Sequence, residues 1–222
     1  MVEACKNNHV DVVEVLRNHV GELDAFHISE YEGESNTTAT PLSIASERGC
    51  LEGVKLLVEM GASIDAPIDD YCGGTALVSA CGAGRVEVVQ FLLGSEASAR
   101  SMNNQGETAL LSACGSYRSW IPAPLITLLV EHGADINAVC GKGRSVLMRY
   151  AIFCHVETAT LRLLLDYGAD VTFKNSYGET VFTYLQSKEA LSAEERQGFT
   201  ALCKQYEESN RRVNATTAPT LK

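Results

Sequence analysis

Apolar residues along the chain fall into two alternating kinds of run. One kind is short and built from small residues: "PLSIASERG" at 41–49 and "ALVSACGAG" at 76–84. The other is longer and strongly aliphatic: "EGVKLLVEMG" (52–61), "VEVVQFLLG" (86–94), "PLITLLVEHG" (124–133) and "TLRLLLDYG" (160–168). Both predict helices. Glycine often closes the longer run, at Gly61, Gly133 and Gly168, where a left-handed residue can satisfy the orphan carbonyls of a helix end. A short extended piece follows: "ASIDA", "ADINA" or "ADVTF".

The alternation is a repeat. The tripeptides Thr40-Pro41-Leu42, Thr75-Ala76-Leu77, Thr108-Ala109-Leu110, Ser145-Val146-Leu147 and Thr180-Val181-Phe182 start 35, 33, 37 and 35 residues apart. A period in this range signals stacked two-helix units. Four of the five openings read Gly-x-Thr/Ser, from Gly73, Gly106, Gly143 and Gly178. The hydroxyl is a natural N-cap, and Pro41 stands where a missing helix N–H costs nothing.

These motifs resemble the ankyrin repeat family. The resemblance rests on Thr40-Pro41-Leu42, "LLVEHGADINA" (128–138), "LLLDYGAD" (163–170) and "VKLLVEMGASIDA" (54–66). It implies an all-α repeat solenoid of about six stacked helix-turn-helix units joined by β-hairpin-like loops. The units run over about 1–36, 37–72, 73–105, 106–142, 143–177 and 178–209, with the first truncated, the last degenerate, and a polar tail at 210–222. The first unit begins within a first helix, so the chain is a fragment or is capped by another element. The sixth unit's second helix is expected in "SAEERQGFTALCKQYEE", opened by a capping box at Ser192 to Glu195.

Several features depart from the family pattern. The histidine that usually follows Thr-Pro-Leu is replaced by Ser43, Val78, Leu111 and Met148. The fourth unit has about four extra residues near "YRSWIPAP", the fifth about two near "IFCHVE", and the hairpin at 21–39 is long.

Composition narrows the function. The 222 residues carry 18 basic and 28 acidic side chains, a formal net charge of −10. Such a chain is a poor binder of nucleic acid or anionic lipid. No apolar run spans a bilayer. Eight cysteines at irregular spacings, with no export signal, read as reduced thiols. The expected location is intracellular, in cytoplasm or nucleus, and the expected state is a monomer.

The cysteines invite a chemical reading, since Ser-Ala-Cys-Gly occurs twice, at 79–82 and 112–115. Aligned by the repeat, Cys5, Cys81 and Cys114 share one position with Ser46. This is a packing site for a small residue. No histidine pattern supplies a base, and Cys140, Cys154 and His155 lack the close pairing of a zinc site. "CGKGRS" at 140–145 fails as a phosphate loop because Gly143 follows Lys142 and Asn137 stands where the first glycine should. No enzyme activity, cofactor or metal is expected.

The resemblance implies that one or more proteins bind in a concave groove of hairpin tips and first helices. Position by position, the tips are Asp69, Asp70, Tyr71, Asn103, Asn104, Gln105, Lys142, Arg144, Ser176 and Tyr177. The exposed first-helix positions are Glu47, Arg48, Gly82, Ala83, Ser116, Tyr117 and Phe153. Gly82 and Gly115 would leave a shallow floor for a partner's side chain. Asn137, in "LVEHGADIN", matches the pattern of ankyrin asparagine hydroxylation. The alternative is a regulatory or substrate-recruiting segment of a larger enzyme, such as a kinase or ubiquitin ligase.

Overall fold

The computed structural model describes residues 27–29, 37–67, 74–103, 105–115 and 122–217. Most of the first unit lies outside these residues. Two short strands, β1 (His27–Ser29) and β2 (Thr37–Ala39), pair antiparallel with His27 opposite Ala39. Five helix pairs follow among the described residues. They are α1 (Pro41–Arg48) with α2 (Leu51–Glu59), α3 (Ala76–Gly82) with α4 (Val86–Gly94), and α5 (Ala109–Gly115) with α6 (Ala123–Glu131). The last two pairs are α7 (Val146–Phe153) with α8 (Thr158–Asp166), and α9 (Val181–Ser187) with α10 (Ala193–Thr217).

Each first helix packs on the next, α1 on α3, α5, α7 and α9 in turn, and the second helices stack alongside. One continuous apolar core runs between the two layers. The first helices start as expected. The Thr40 hydroxyl accepts from Ser43 N at 3.1 Å, Thr108 from Leu111 N at 3.3 Å and Ser145 from Met148 N at 3.3 Å. Thr75 has the same extended backbone, but its buried hydroxyl makes no such bond. Where the family's histidine is absent, Ser43 donates to Thr40 O at 2.8 Å, while Val78, Leu111 and Met148 are buried apolar groups.

The Ser46, Cys81, Cys114 position is at most 1% exposed throughout. Burial pushes the thiols of Cys81 and Cys114 well above the usual range, so neither is a thiolate nucleophile at neutral pH. Among the described residues, no three His, Cys, Asp or Glu side chains gather as a metal site.

The sixth unit is fastened in an unexpected way. Lys188 Nζ donates to Ala151 O, Ile152 O and Cys154 O at 2.7, 3.1 and 2.6 Å. It thereby caps the carbonyl end of α7. The predicted capping box forms, with Ser192 N donating to Glu195 Oε2 at 2.8 Å and Glu195 N to Ser192 Oγ at 3.2 Å. α10 then continues to Thr217, past position 209 where the composition predicts a tail.

Candidate functional site

The loops between helix pairs project as fingers and are built rigidly. Asn103 and Asn175 occupy equivalent places in two of them. The Asn103 Oδ1 accepts from Gln105 N and Glu107 N at 2.9 and 2.8 Å. The Asn175 Oδ1 accepts from Tyr177 N and Glu179 N, both at 2.9 Å. Each asparagine thus closes its own tip. Between them, Gly141 N donates to Gln105 O at 2.7 Å. A side chain at 141 would put its Cβ 2.8 Å from that oxygen, so glycine permits the close approach.

Successive fingers are also clamped at their bases. The Asp65 carboxylate accepts from Ser98 N at 3.2 Å, and Arg100 Nε donates to Gly133 O at 2.9 Å. Asn137 Nδ2 donates to Gly168 O at 3.1 Å, and its Oδ1 accepts from Asp170 N at 2.8 Å. Asn137 is exposed, yet both ends of its amide are engaged in this clamp. A cavity of about 690 Å³ opens on the flank of these fingers, lined in part by Met102, Ile136 and Val139.

Of the residues expected at the groove, Asp69, Asp70, Tyr71, Asn104, Ser116 and Tyr117 lie outside the described residues. Glu47, Arg48, Lys142 and Ser176 are exposed, and Tyr177 is 83% exposed. Asn103, Gln105, Arg144 and Phe153 are half-buried.

The floor of the groove differs from expectation. Ala83 is buried, not exposed. Gly82 and Gly115 do not leave open space. A Cβ on Gly82 would lie 2.7 Å from Ser112 Oγ, and one on Gly115 would collide with the Arg149 guanidinium. Ser112 and Arg149 each stand four residues after a helix-opening Thr or Ser. In both cases the next unit's own side chain fills the room that its neighbour's glycine leaves.

Arg149 is the residue that sequence reasoning missed. Its equivalents are Ile44, Ser79, Ser112 and Tyr184, so the signal was a lone charged residue in that column. Its Nη1 pairs with Glu107 Oε1 at 2.6 Å, the two side chains 12% and 20% exposed. Its guanidinium also lies over the Phe153 ring, 5.4 Å from the centroid, and Arg144 lies over the same ring at 5.9 Å. Beyond Arg144, Glu179 accepts from Tyr184 OH at 2.5 Å and from Asn175 Nδ2 at 2.8 Å. Those bonds, helped by the nearby Arg144, hold the Glu179 carboxyl below its usual range. A polar network therefore crosses the groove over three units.

Comparison with known proteins agrees with this architecture. A family model described as ankyrin repeats (many copies) matches residues 42–93. The chain belongs to the ankyrin repeat family. Ankyrin relatives include the ankyrin repeat and KH domain-containing protein mask-1 of Caenorhabditis elegans, 31% identical over 85% of this chain and 6% of that protein. The human ankyrin repeat and SOCS box protein 16 is 30% identical over 63% of this chain and 29% of its own length. The E3 ubiquitin-protein ligase KEG of Arabidopsis thaliana is 31% identical over 65% of this chain and 9% of its own length. The chain thus spans less than a third of each of these ankyrin repeat proteins. The ankyrin scaffold is typically non-catalytic and implies protein–protein interaction. Among the described residues, no helix is long and apolar enough to cross a membrane.

Proposed function

We propose that the chain is a non-catalytic recognition module that binds one or more proteins, as a monomer, through the concave groove of finger tips and first helices. The observation that carries this reading is the tip at Asn175 to Gly178. It is held by backbone N–H groups donating to Asn175 Oδ1, yet it presents Ser176 and Tyr177 to solvent. A pre-organised backbone with an exposed aromatic loses little entropy on binding.

The test is photo-crosslinking with a benzophenone residue at Tyr177 and, separately, at Arg162 on the exposed face of α8. Partners captured from Tyr177 and not from Arg162, with affinity lost in Tyr177→Ala, agree with the groove. Equal capture from both positions, or unaltered affinity in Tyr177→Ala, refutes it.

A second reading is that this segment recruits substrates for, or regulates, a larger enzyme. It is favoured by the ubiquitin ligase among the relatives, of which the chain covers only a small share. Asn137 is the proposed target of asparagine hydroxylation. A hydroxylase would have to open its bridge to the next finger.

A further inference from the structure

We infer that the groove beside α7 takes an acidic segment of a protein partner, with Arg144 as the carboxylate reader, Arg149 as a fixed charge beside it and Phe153 as their platform. The inference rests on the groove being the binding surface.

Charge distribution points to this occupant. Between Ile136 and Val156 the chain carries Lys142, Arg144 and Arg149 and no Asp or Glu, although the whole molecule is at −10. Arg144 and Arg149 meet at Phe153, and the exposed Lys142 precedes Arg144 on the same finger. Two guanidinium groups lie against the one ring of Phe153, 5.9 and 5.4 Å from its centroid. Like charges that close repel unless anions stand beside them. Glu107 supplies one at Arg149, and Glu179 lies near Arg144. Counting these five groups gives three positive and two negative, a local surplus of one positive charge carried outward by the exposed Lys142.

A guanidinium in contact with an aromatic face does not spend its N–H donors on the ring. Those donors match a carboxylate in a bidentate fork. Arg149 is fixed in position by Glu107 and by the missing side chain at Gly115. Arg144 is half-buried, with part of its surface open to solvent. A partner carboxylate can therefore join Arg144 without displacing the Arg149–Glu107 pair. The neighbouring Tyr177 offers an aromatic surface to an apolar residue in the same segment.

The experiment is fluorescence anisotropy with the full chain and three labelled peptides of equal length and the same two leucines, rich in Glu, Gln or Lys. The Glu peptide is expected to bind about tenfold more tightly than the Gln peptide, the Lys peptide not at all, and the preference to shrink as salt rises. Arg144→Gln should abolish the preference with the circular dichroism spectrum unchanged. Phe153→Leu, which keeps an apolar side chain, should weaken it. Equal binding of Glu and Gln peptides, or a preference that survives Arg144→Gln, overturns the inference. So does tighter binding of a labelled RNA oligonucleotide than of the Glu peptide. If Tyr177 still cross-links a partner while the Glu preference is absent, the acidic partner is wrong and the groove stands. If the Glu preference holds but capture comes from Arg162, the groove reading is the one that fails.

Discussion

Glu96→Gly should stabilise the protein. The turn that ends the second helix uses the same residue position in four described units, those of α2, α4, α6 and α8. Gly61, Gly133 and Gly168 stand there with φ of 90°, 87° and 87°. In the third unit the position is Glu96, held at φ 67°. Its backbone bonds match the others: Glu96 N donates to Leu93 O at 3.1 Å and Ala97 N to Leu92 O at 3.0 Å, as Gly133 N does to Val130 O and Ala134 N to Leu129 O, both at 2.9 Å. The unit's own glycine, Gly94, falls two residues too early, inside α4.

An L-residue in the left-handed region costs about 1–2 kcal/mol. Glycine returns about 0.5–1 kcal/mol of that as extra freedom of the unfolded chain. The net gain is roughly 1 kcal/mol, worth about 2–4 °C in Tm at this chain length. Thermal and urea denaturation followed by circular dichroism measure it. Glu96→Ala is the control, since it removes the exposed carboxylate but keeps the Cβ. It should change stability by under about 0.5 kcal/mol. Glu96→Gly no more stable than Glu96→Ala would refute backbone strain at this turn.

Gly115→Ala should cost about 1–3 kcal/mol by overpacking against Arg149. In an Arg149→Ser background, which copies Ser112, most of that cost should vanish, a coupling that a double-mutant cycle measures. Lys188→Met removes the cap on three carbonyls in and just past the end of α7 and should destabilise by about 2 kcal/mol, with faster amide exchange in α9 and α10 as the local readout. The Glu179 carboxyl is held below its usual range in the folded state. Its contribution is therefore present above the unfolded carboxylate pKa and lost as pH falls through the lower folded value. Glu179→Gln should flatten the acid limb of a stability–pH curve, and an unchanged limb would count against the network. Thiol labelling of Cys81 and Cys114 by a disulfide reagent should follow the rate of opening and not reagent concentration.

Much of the fold was legible because each unit repeats the same local chemistry. The helix-opening Thr or Ser, the aliphatic second helix and the closing glycine are short-range signals, and their recurrence, five, four and three times, makes them unambiguous. The capping box at Ser192 to Glu195 was readable for the same reason. The small-residue column at Ser46, Cys81 and Cys114 was also correctly read as packing, because a buried thiol next to alanine has no base to activate it.

What the sequence did not decide were contacts between units, where one position meets another a full repeat away. Gly82 and Gly115 looked like an open floor, since a single chain shows the missing side chain but not what enters the space. Tertiary stacking places Ser112 and Arg149 there. Tyr150 replaces the alanines at 45, 80 and 113, and the two extra residues of its unit give its hydroxyl a partner, Glu157 N at 2.8 Å. Lys188 and Arg149 are ordinary surface cations in the sequence. One becomes a helix cap and the other a link between units because their side chains reach acceptors 34 to 42 residues away. Local spacing determines the units. Only their stacking determines which side chains remain for a partner.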